Sequence, residues 1–193
     1  MGMLTMLAAG LVSLLPALVS ERFHDQSGAV GYLMAATAAG ALLATLTSGW
    51  IGHLRRPGLA LLAALVAGFV LIVVLGLTAS IWPALVLLLV IGFLDAVQEV
   101  VRYMLIQQHT PGPLLGRVNG IWMSQEVSGA TVGALVAGAF GAIWAAHEAI
   151  IYYGLGLVVL GVLATATLGS LRAVRGVEAD ETETVRQGKG SQS

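Results

Sequence analysis

The chain has 193 residues, of which 58% are hydrophobic and only 10% are charged, and its mean hydropathy is +0.91. A soluble domain carries about a quarter charged residues, so this composition excludes one and predicts an integral membrane protein surrounded by the lipid bilayer. The absence of cysteine excludes disulfides, thiolate metal ligands and cysteine nucleophiles, and the net charge of −1 gives no sign of a nucleic-acid partner. We predict no cofactor and no metal site.

The apolar residues occur in long unbroken runs, which predict membrane-spanning helices rather than the short alternating strands of a barrel. We therefore predict an all-α membrane protein in which residues 1–175 form one six-helix bundle. Residues 176–193 are acidic and contain Gly, Ser and Gln, which is typical of a disordered tail. The six predicted spans cover approximately residues 3–19, 29–50, 58–78, 82–105, 117–144 and 149–171.

The placement of arginine predicts the orientation of this bundle, because cytoplasmic loops are enriched in Lys and Arg. One set of alternate loops carries only Arg22. The opposite set carries Arg55, Arg56, Arg117, Arg172 and Arg175. Both termini are therefore predicted to lie in the cytoplasm.

Small residues at four-residue spacing mark a packing face on two of the predicted spans. Gly40 and Ala44 lie on such a stripe in the second span, and Gly129 and Gly133 lie on one in the fifth. Small stripes let helices approach closely in lipid. We expect these two faces to be exposed on the bundle and to pair it with another chain.

The six spans form two triplets, and the hydropathy and residue size of the spans vary in the same order in both. In each triplet the first span is the least apolar, the second carries the small-residue stripe and the third is apolar throughout. Two triplets of opposite orientation form the inverted-topology repeat of secondary transporters. The sequence thus predicts a 3+3 inverted repeat.

The fourth predicted span carries ionisable residues that are costly inside a bilayer. Over Ile81–Val101 about thirteen strongly apolar residues supply about −6 kcal/mol for insertion, and Asp95 and Glu99 nearly cancel it. Asp95, Glu99 and Arg102 follow one another at spacings of four and three residues, so on a helix they share one face with Gln98 beside them.

The fifth span adds Gln125 and Glu126, and the helical rise places Glu126 at about the depth of Asp95. A carboxyl in a low-dielectric environment can load and release protons near neutral pH. The predicted proton and substrate pathway comprises Asp95, Gln98, Glu99, Gln125 and Glu126. The alternative interpretation is a fixed ion pair between Glu99 and Arg102 that only holds the helices together.

An enzymatic role is not predicted. An intramembrane serine protease would need a Gly-x-Ser-Gly motif, and although Gly129 follows Ser128, Glu126 occupies the position of the first Gly. His147, which such an enzyme would use as a base, falls in a predicted turn. It is expected to be a solvated residue without a nearby carboxylate.

Two stretches of the chain resemble the major facilitator superfamily of transporters. The run Gly49-Trp-Ile-Gly-His-Leu-Arg-Arg-Pro-Gly58 resembles the cytoplasmic loop motif of that family. The run Leu115-Gly-Arg-Val-Asn-Gly-Ile-Trp-Met-Ser-Gln-Glu-Val-Ser-Gly129 resembles its enterobactin exporter branch. By this resemblance the loop motif comprises Gly49, His53, Arg55 and Arg56. His53 stands where the family usually has an acidic residue.

The resemblance extends to about Arg175 and covers only the C-terminal half of such a transporter. It implies that the first helix of each triplet lines a central cavity, that the second lies between the two halves, and that the third faces outward. The implied function is proton-coupled export of a siderophore or a similar small molecule across the bacterial inner membrane.

A single half lacks the opposite wall of that cavity. We therefore expect the chain to pair with a missing N-terminal six-helix half or with another copy of itself. The alternative is a truncated or vestigial half that packs against other helices in the membrane without transporting anything.

Overall fold

A computed structural model describes residues 7–23, 28–49, 57–109 and 114–167. Over these residues all regular structure is helical, which confirms the predicted all-α class. The helices are α1 (Leu11–Arg22), α2 (Ala29–Leu46), α3 (Pro57–Leu77), α4 (Ile81–His109), α5 (Leu115–Ile143) and α6 (Ala146–Thr167). The predicted tail at residues 176–193 and the loop residues His53, Arg55 and Arg56 lie outside the described residues.

Five of these helices, α2 to α6, are long and apolar enough to cross a membrane. A helix satisfies its backbone hydrogen bonds internally, which is the condition for crossing lipid. In the described part of the chain, α1 has 12 residues and does not by itself reach the roughly 20 residues that a span needs. Pro57 is the first residue of α3, where a missing N–H costs nothing.

Several helix ends differ from the predicted spans. α1 continues to Arg22, three residues past the predicted end, and α4 continues to His109, about one turn past its predicted end. α6 begins at Ala146, so His147 and Glu148 lie in its first turn and not in a loop. An acidic residue in the first turn interacts favourably with the helix dipole, which explains why the helix includes Glu148.

The helix pairs follow a pattern that is consistent with two related triplets. The most extensive pairing joins α2 to α4, and the corresponding pair under a 3+3 repeat, α5 with α1, is also in contact. The contact of α3 with α4 corresponds in the same way to the contact of α6 with α1. In addition, α3 packs on α6. The third helix of each triplet thus contacts its counterpart, which agrees with the predicted repeat.

Glycines bring the backbones of these pairs into direct contact. A β-carbon at Gly40 of α2 would lie 1.9 Å from the carbonyl oxygen of Leu89 on α4. A β-carbon at Gly133 of α5 would lie 2.6 Å from the carbonyl oxygen of Leu7, just before α1. Both positions therefore accept only glycine without a backbone shift, because real β-carbons do not approach other atoms so closely.

These contacts correct the expectation that the small-residue stripes are exposed for another chain. Gly40, Ala44, Gly129 and Gly133 are all buried within this chain. Ala44 is 1% exposed and packs in an apolar cluster with Leu61 of α3 and with residues of α4. The spacing showed that a helix would approach, but it could not show that the approaching helix belongs to the same chain.

Gly40→Ala is expected to lower the free energy of unfolding by about 2 kcal/mol, because overpacking forces α2 away from α4. Gly31 lies on the same helix with no atom within 4 Å of an added β-carbon, so it is the matched control. Gly31→Ala is expected to change stability little, or to raise it by up to about 1 kcal/mol through helix propensity. Thermal unfolding of the purified variants in detergent measures the difference, and equal stabilities would contradict the close contact.

The end of α1 is joined to the start of α6 by Glu21. Its carboxylate accepts a hydrogen bond from the Ala146 backbone N–H at 2.5 Å and contacts Nδ1 of His147. His147 is 25% exposed and Glu21 is 30% exposed. The expectation that His147 is solvated without a carboxylate nearby is therefore wrong. The contact joins the last turn of α1 to the first turn of α6, and its two residues are 126 positions apart, so no local spacing predicts it.

Glu21→Gln is expected to lower the free energy of unfolding by about 1 kcal/mol at pH 7. Glu21 lies after the end of the predicted first span, outside the residues predicted to cross the membrane. Partial burial acts to raise its pKa, but hydrogen bonds from His147 and Ala146 outweigh that effect and leave the pKa lowered. A lowered pKa in the folded state contributes stability above the ordinary glutamate pKa, and this stability is lost as pH falls through the lowered value.

Thermal unfolding of the parent and of Glu21→Gln at pH 7 and in acid below the lowered pKa of Glu21 measures this contribution. The two proteins should differ at pH 7 and converge in acid, where the parent carboxyl also becomes neutral. A difference that is the same at both pH values would contradict an ionic role for Glu21.

Candidate functional site

The polar residues of α4 divide between its open face and the interior of the bundle. Asp95 and Glu99 are exposed, whereas the side chain of Gln98 is only 2% exposed. The amide oxygen of Gln98 is buried without a hydrogen-bond partner among the described residues. A buried polar atom without a partner is costly and is therefore a mark of functional sites.

Arg102 lies at the centre of the charged groups. Its Nε and Nη1 atoms are buried and have no hydrogen-bond partner in the described part of the chain. The guanidinium interacts electrostatically with the carboxylates of Glu99, Asp95 and Glu126, so residues of both α4 and α5 contribute to its surroundings. Among the described residues, none of these carboxylates comes within the 4 Å distance of an ion pair with Arg102. The fixed pair between Glu99 and Arg102 is not formed.

An open cleft of about 390 Å³ lies beside these charges, between α2, α4 and α5. It is lined by Thr45, Ala96, Glu99, Val100, Tyr103 and Trp122. The rings of Tyr103 on α4 and Trp122 on α5 have centroids 5.8 Å apart and planes tilted by 35°. The indole Nε1 of Trp122 is buried without a hydrogen-bond partner among the described residues. The cleft therefore combines two aromatic rings with one carboxylate.

The structure places the predicted pathway residues at different distances from this cleft. Glu99 lines it, and Asp95 precedes Glu99 by one turn on the same open face of α4. Glu126 is half-buried on α5 and interacts with Arg102. Gln125 is half-buried on α5 but does not line the cleft. Gly49, the first residue of the loop motif, is exposed just after α2.

Three polar or aromatic residues of the cleft were not predicted as site residues. Tyr103 follows Glu99 by one helical turn, and Trp122 precedes Glu126 by one turn, so helical spacing from the carboxylates could have identified both. Thr45 belongs to α2, and only the pairing of α2 with α4 brings it to the cleft. Among the described residues, no three His, Asp or Glu side chains are grouped so that they could hold a metal ion.

A helical bundle that crosses the membrane and carries unpaired charges beside an open cleft is typical of membrane transporters. The family model of the Major Facilitator Superfamily matches residues 1–190, and the chain belongs to that superfamily. This is a family of transporters, in agreement with the prediction that the chain is not an enzyme. The chain is an integral membrane protein.

Three curated relatives share one description. The chain is 38% identical over 174 residues to the enterobactin exporter EntS of Citrobacter koseri, and 37% identical over 174 residues to those of Shigella flexneri and Escherichia coli O139:H28. Each alignment covers 90% of this chain but only 41 to 42% of the relative. The chain thus spans less than half of the length of these exporters. No solved structure matches it.

Proposed function

We propose that the chain forms the C-terminal half of a proton-coupled exporter of a siderophore or a similar small molecule. The observation that carries the proposal is the guanidinium of Arg102, whose Nε and Nη1 atoms are buried without a hydrogen-bond partner among the described residues and which interacts with the carboxylates of Asp95, Glu99 and Glu126. An ionisable group in a membrane bundle is costly and is retained where it lines a pathway for ions or substrate. The curated relatives are named enterobactin exporters, which supports the class of cargo.

Coupling follows from the arrangement of these charges. Arg102 is shared among three carboxylates and is fixed by none of them, so protonation of one carboxylate frees the guanidinium to interact more strongly with the others. Asp95, Glu99 and Arg102 belong to α4, and Glu126 belongs to α5. Protonation of one of these carboxylates therefore changes the electrostatic attraction between α4 and α5. A change in the balance between two helix arrangements is what alternating access requires.

The exposed face of α4 is the proposed wall of the cargo pathway. A missing N-terminal half, or a second copy of the chain, supplies the opposite wall in this proposal. The protein lies in the bacterial inner membrane with both termini in the cytoplasm, an orientation that the arginine distribution supports. The contact between Glu21 and His147 is compatible with this orientation, because it joins the end of α1 to the start of α6, which are predicted to lie on the same side.

Siderophore efflux from cells tests the proposal. A bacterium that lacks its own enterobactin exporter is given either this chain alone or a fusion of the chain to the part of the Escherichia coli exporter that it does not match. The fusion is expected to restore secretion of enterobactin into the medium, and the chain alone is expected to restore little. A fusion that folds and reaches the membrane but secretes nothing would favour the alternative of a packing partner without transport.

A further inference from the structure

We infer that the cleft between α2, α4 and α5 binds the aromatic portion of an organic cation. The inference rests on the proposed function only in placing this cleft in the transport pathway. It adds a class of ligand that the names of the relatives do not include.

The lining of the cleft determines the kind of group that fits. Tyr103 and Trp122 present two aromatic rings with centroids 5.8 Å apart, and Ala96 and Val100 supply aliphatic contacts. A flat apolar group stacks on such rings and displaces water from apolar surface. The volume of about 390 Å³ lies within the range of small-molecule sites.

The charge of the cleft determines the sign of the ligand. Glu99 is the carboxylate in the lining, and it has no ion-pair partner within 4 Å among the described residues. Asp95 and Glu126 add two negative charges nearby, against the single positive charge of Arg102. When all four groups are ionised, three carboxylates and one guanidinium leave a local charge of −2.

Arg117 is the described cation of α5. It is exposed at the start of that helix, more than one turn before Trp122. Arg117 does not line the cleft, whereas Glu99 does. A cation is therefore attracted both by Glu99 and by the faces of the two rings, whereas an anion is repelled by the carboxylates.

Equilibrium binding of two matched probes tests the inference. Tetraphenylphosphonium and tetraphenylborate have nearly the same size and shape but opposite charge. The purified full chain in lipid nanodiscs is dialysed against each labelled probe, and empty nanodiscs correct for partition into lipid. Tetraphenylphosphonium is expected to bind in excess of this correction, and tetraphenylborate is not.

Five variants locate the binding. Glu99→Gln and Trp122→Ala are each expected to weaken tetraphenylphosphonium binding by about tenfold or more, through loss of the charge and of the ring respectively. Glu148→Gln removes an exposed carboxylate in the first turn of α6, and Trp82→Ala removes a ring that is 75% exposed at the start of α4. Both controls are expected to bind within about twofold of the parent. Trp122→Phe keeps an aromatic face and should retain most of the affinity, which separates loss of the ring from loss of the fold.

Three outcomes would overturn the inference: no specific binding by the parent, equal binding in all variants, or tetraphenylborate binding that depends on Trp122. Binding does not require transport, so the two proposals fail separately. A chain that binds the cation while the fusion exports no siderophore would contradict the proposed function alone. A fusion that exports siderophore while the chain binds no cation would contradict this inference alone.

Discussion

Arg102→Leu in the fusion exporter is expected to reduce siderophore efflux by at least about tenfold. The substitution removes the positive charge that Asp95, Glu99 and Glu126 share, so three carboxylates repel one another in a low-dielectric bundle. Three like charges without their shared counter-charge repel one another, and this repulsion shifts the balance between two transport states. The initial rate of efflux from loaded cells measures the effect.

Arg102→Lys and Arg22→Leu are the matched comparisons. Lysine keeps the charge but loses the planar set of N–H donors, so an intermediate rate is expected. Arg22 lies at the end of α1, outside the cluster, and its removal leaves the positive-inside bias intact. Arg22→Leu should therefore transport at nearly the rate of the parent. Full transport by Arg102→Leu would contradict the shared-charge arrangement.

Asp95→Asn combined with Glu126→Gln is expected to abolish the dependence of efflux on the proton gradient. Each substitution keeps the shape of the side chain and removes its titrating group, one on α4 and one on α5. Without those groups, at most one carboxylate of the cluster, Glu99, is left to carry a proton. We expect at least a tenfold lower initial rate and no further loss when an uncoupler dissipates the gradient.

The single variants show whether the two carboxylates act together. If Arg102 moves between them, each single substitution should lower the rate by nearly as much as the double one, because residues that act as a unit are not additive. Glu148→Gln, an exposed carboxylate outside the cluster, should retain both the rate and its sensitivity to the uncoupler. Coupled efflux at the parental rate in the double variant would exclude Asp95 and Glu126 as proton carriers.

The helices could be predicted from the sequence because the thickness of a bilayer fixes the length of apolar residues that a span needs. Five of the described helices begin within three residues of the starts of their predicted spans. The similar order of hydropathy in the two triplets agrees with the pairing of α2 with α4 and of α5 with α1. The start of α6 was misplaced because charged residues at a helix N-terminus resemble a polar turn in the sequence. Glu148 and His147 belong to the helix that they were expected to precede.

For the candidate site, the sequence predicted only how residues of the same helix are placed relative to one another. The spacing of Asp95, Glu99 and Arg102 placed them on one face, because helical periodicity decides that without any tertiary contact. It did not show that Arg102 forms no ion pair within 4 Å, nor that Thr45 of α2 and Trp122 of α5 line the same cleft as Glu99. Such contacts depend on which helices pack together. For the same reason the burial of Gly40 inside the chain could not be read from its spacing.

Proton movement driven by the cargo tests the central claim most directly. The purified fusion exporter is reconstituted into lipid vesicles that contain a pH-sensitive dye, and enterobactin is added on one side only. The account predicts that the siderophore gradient drives protons in the opposite direction, and that Asp95→Asn with Glu126→Gln abolishes this flux. Transport of siderophore without any proton movement, or unchanged proton movement in the double variant, would contradict the account.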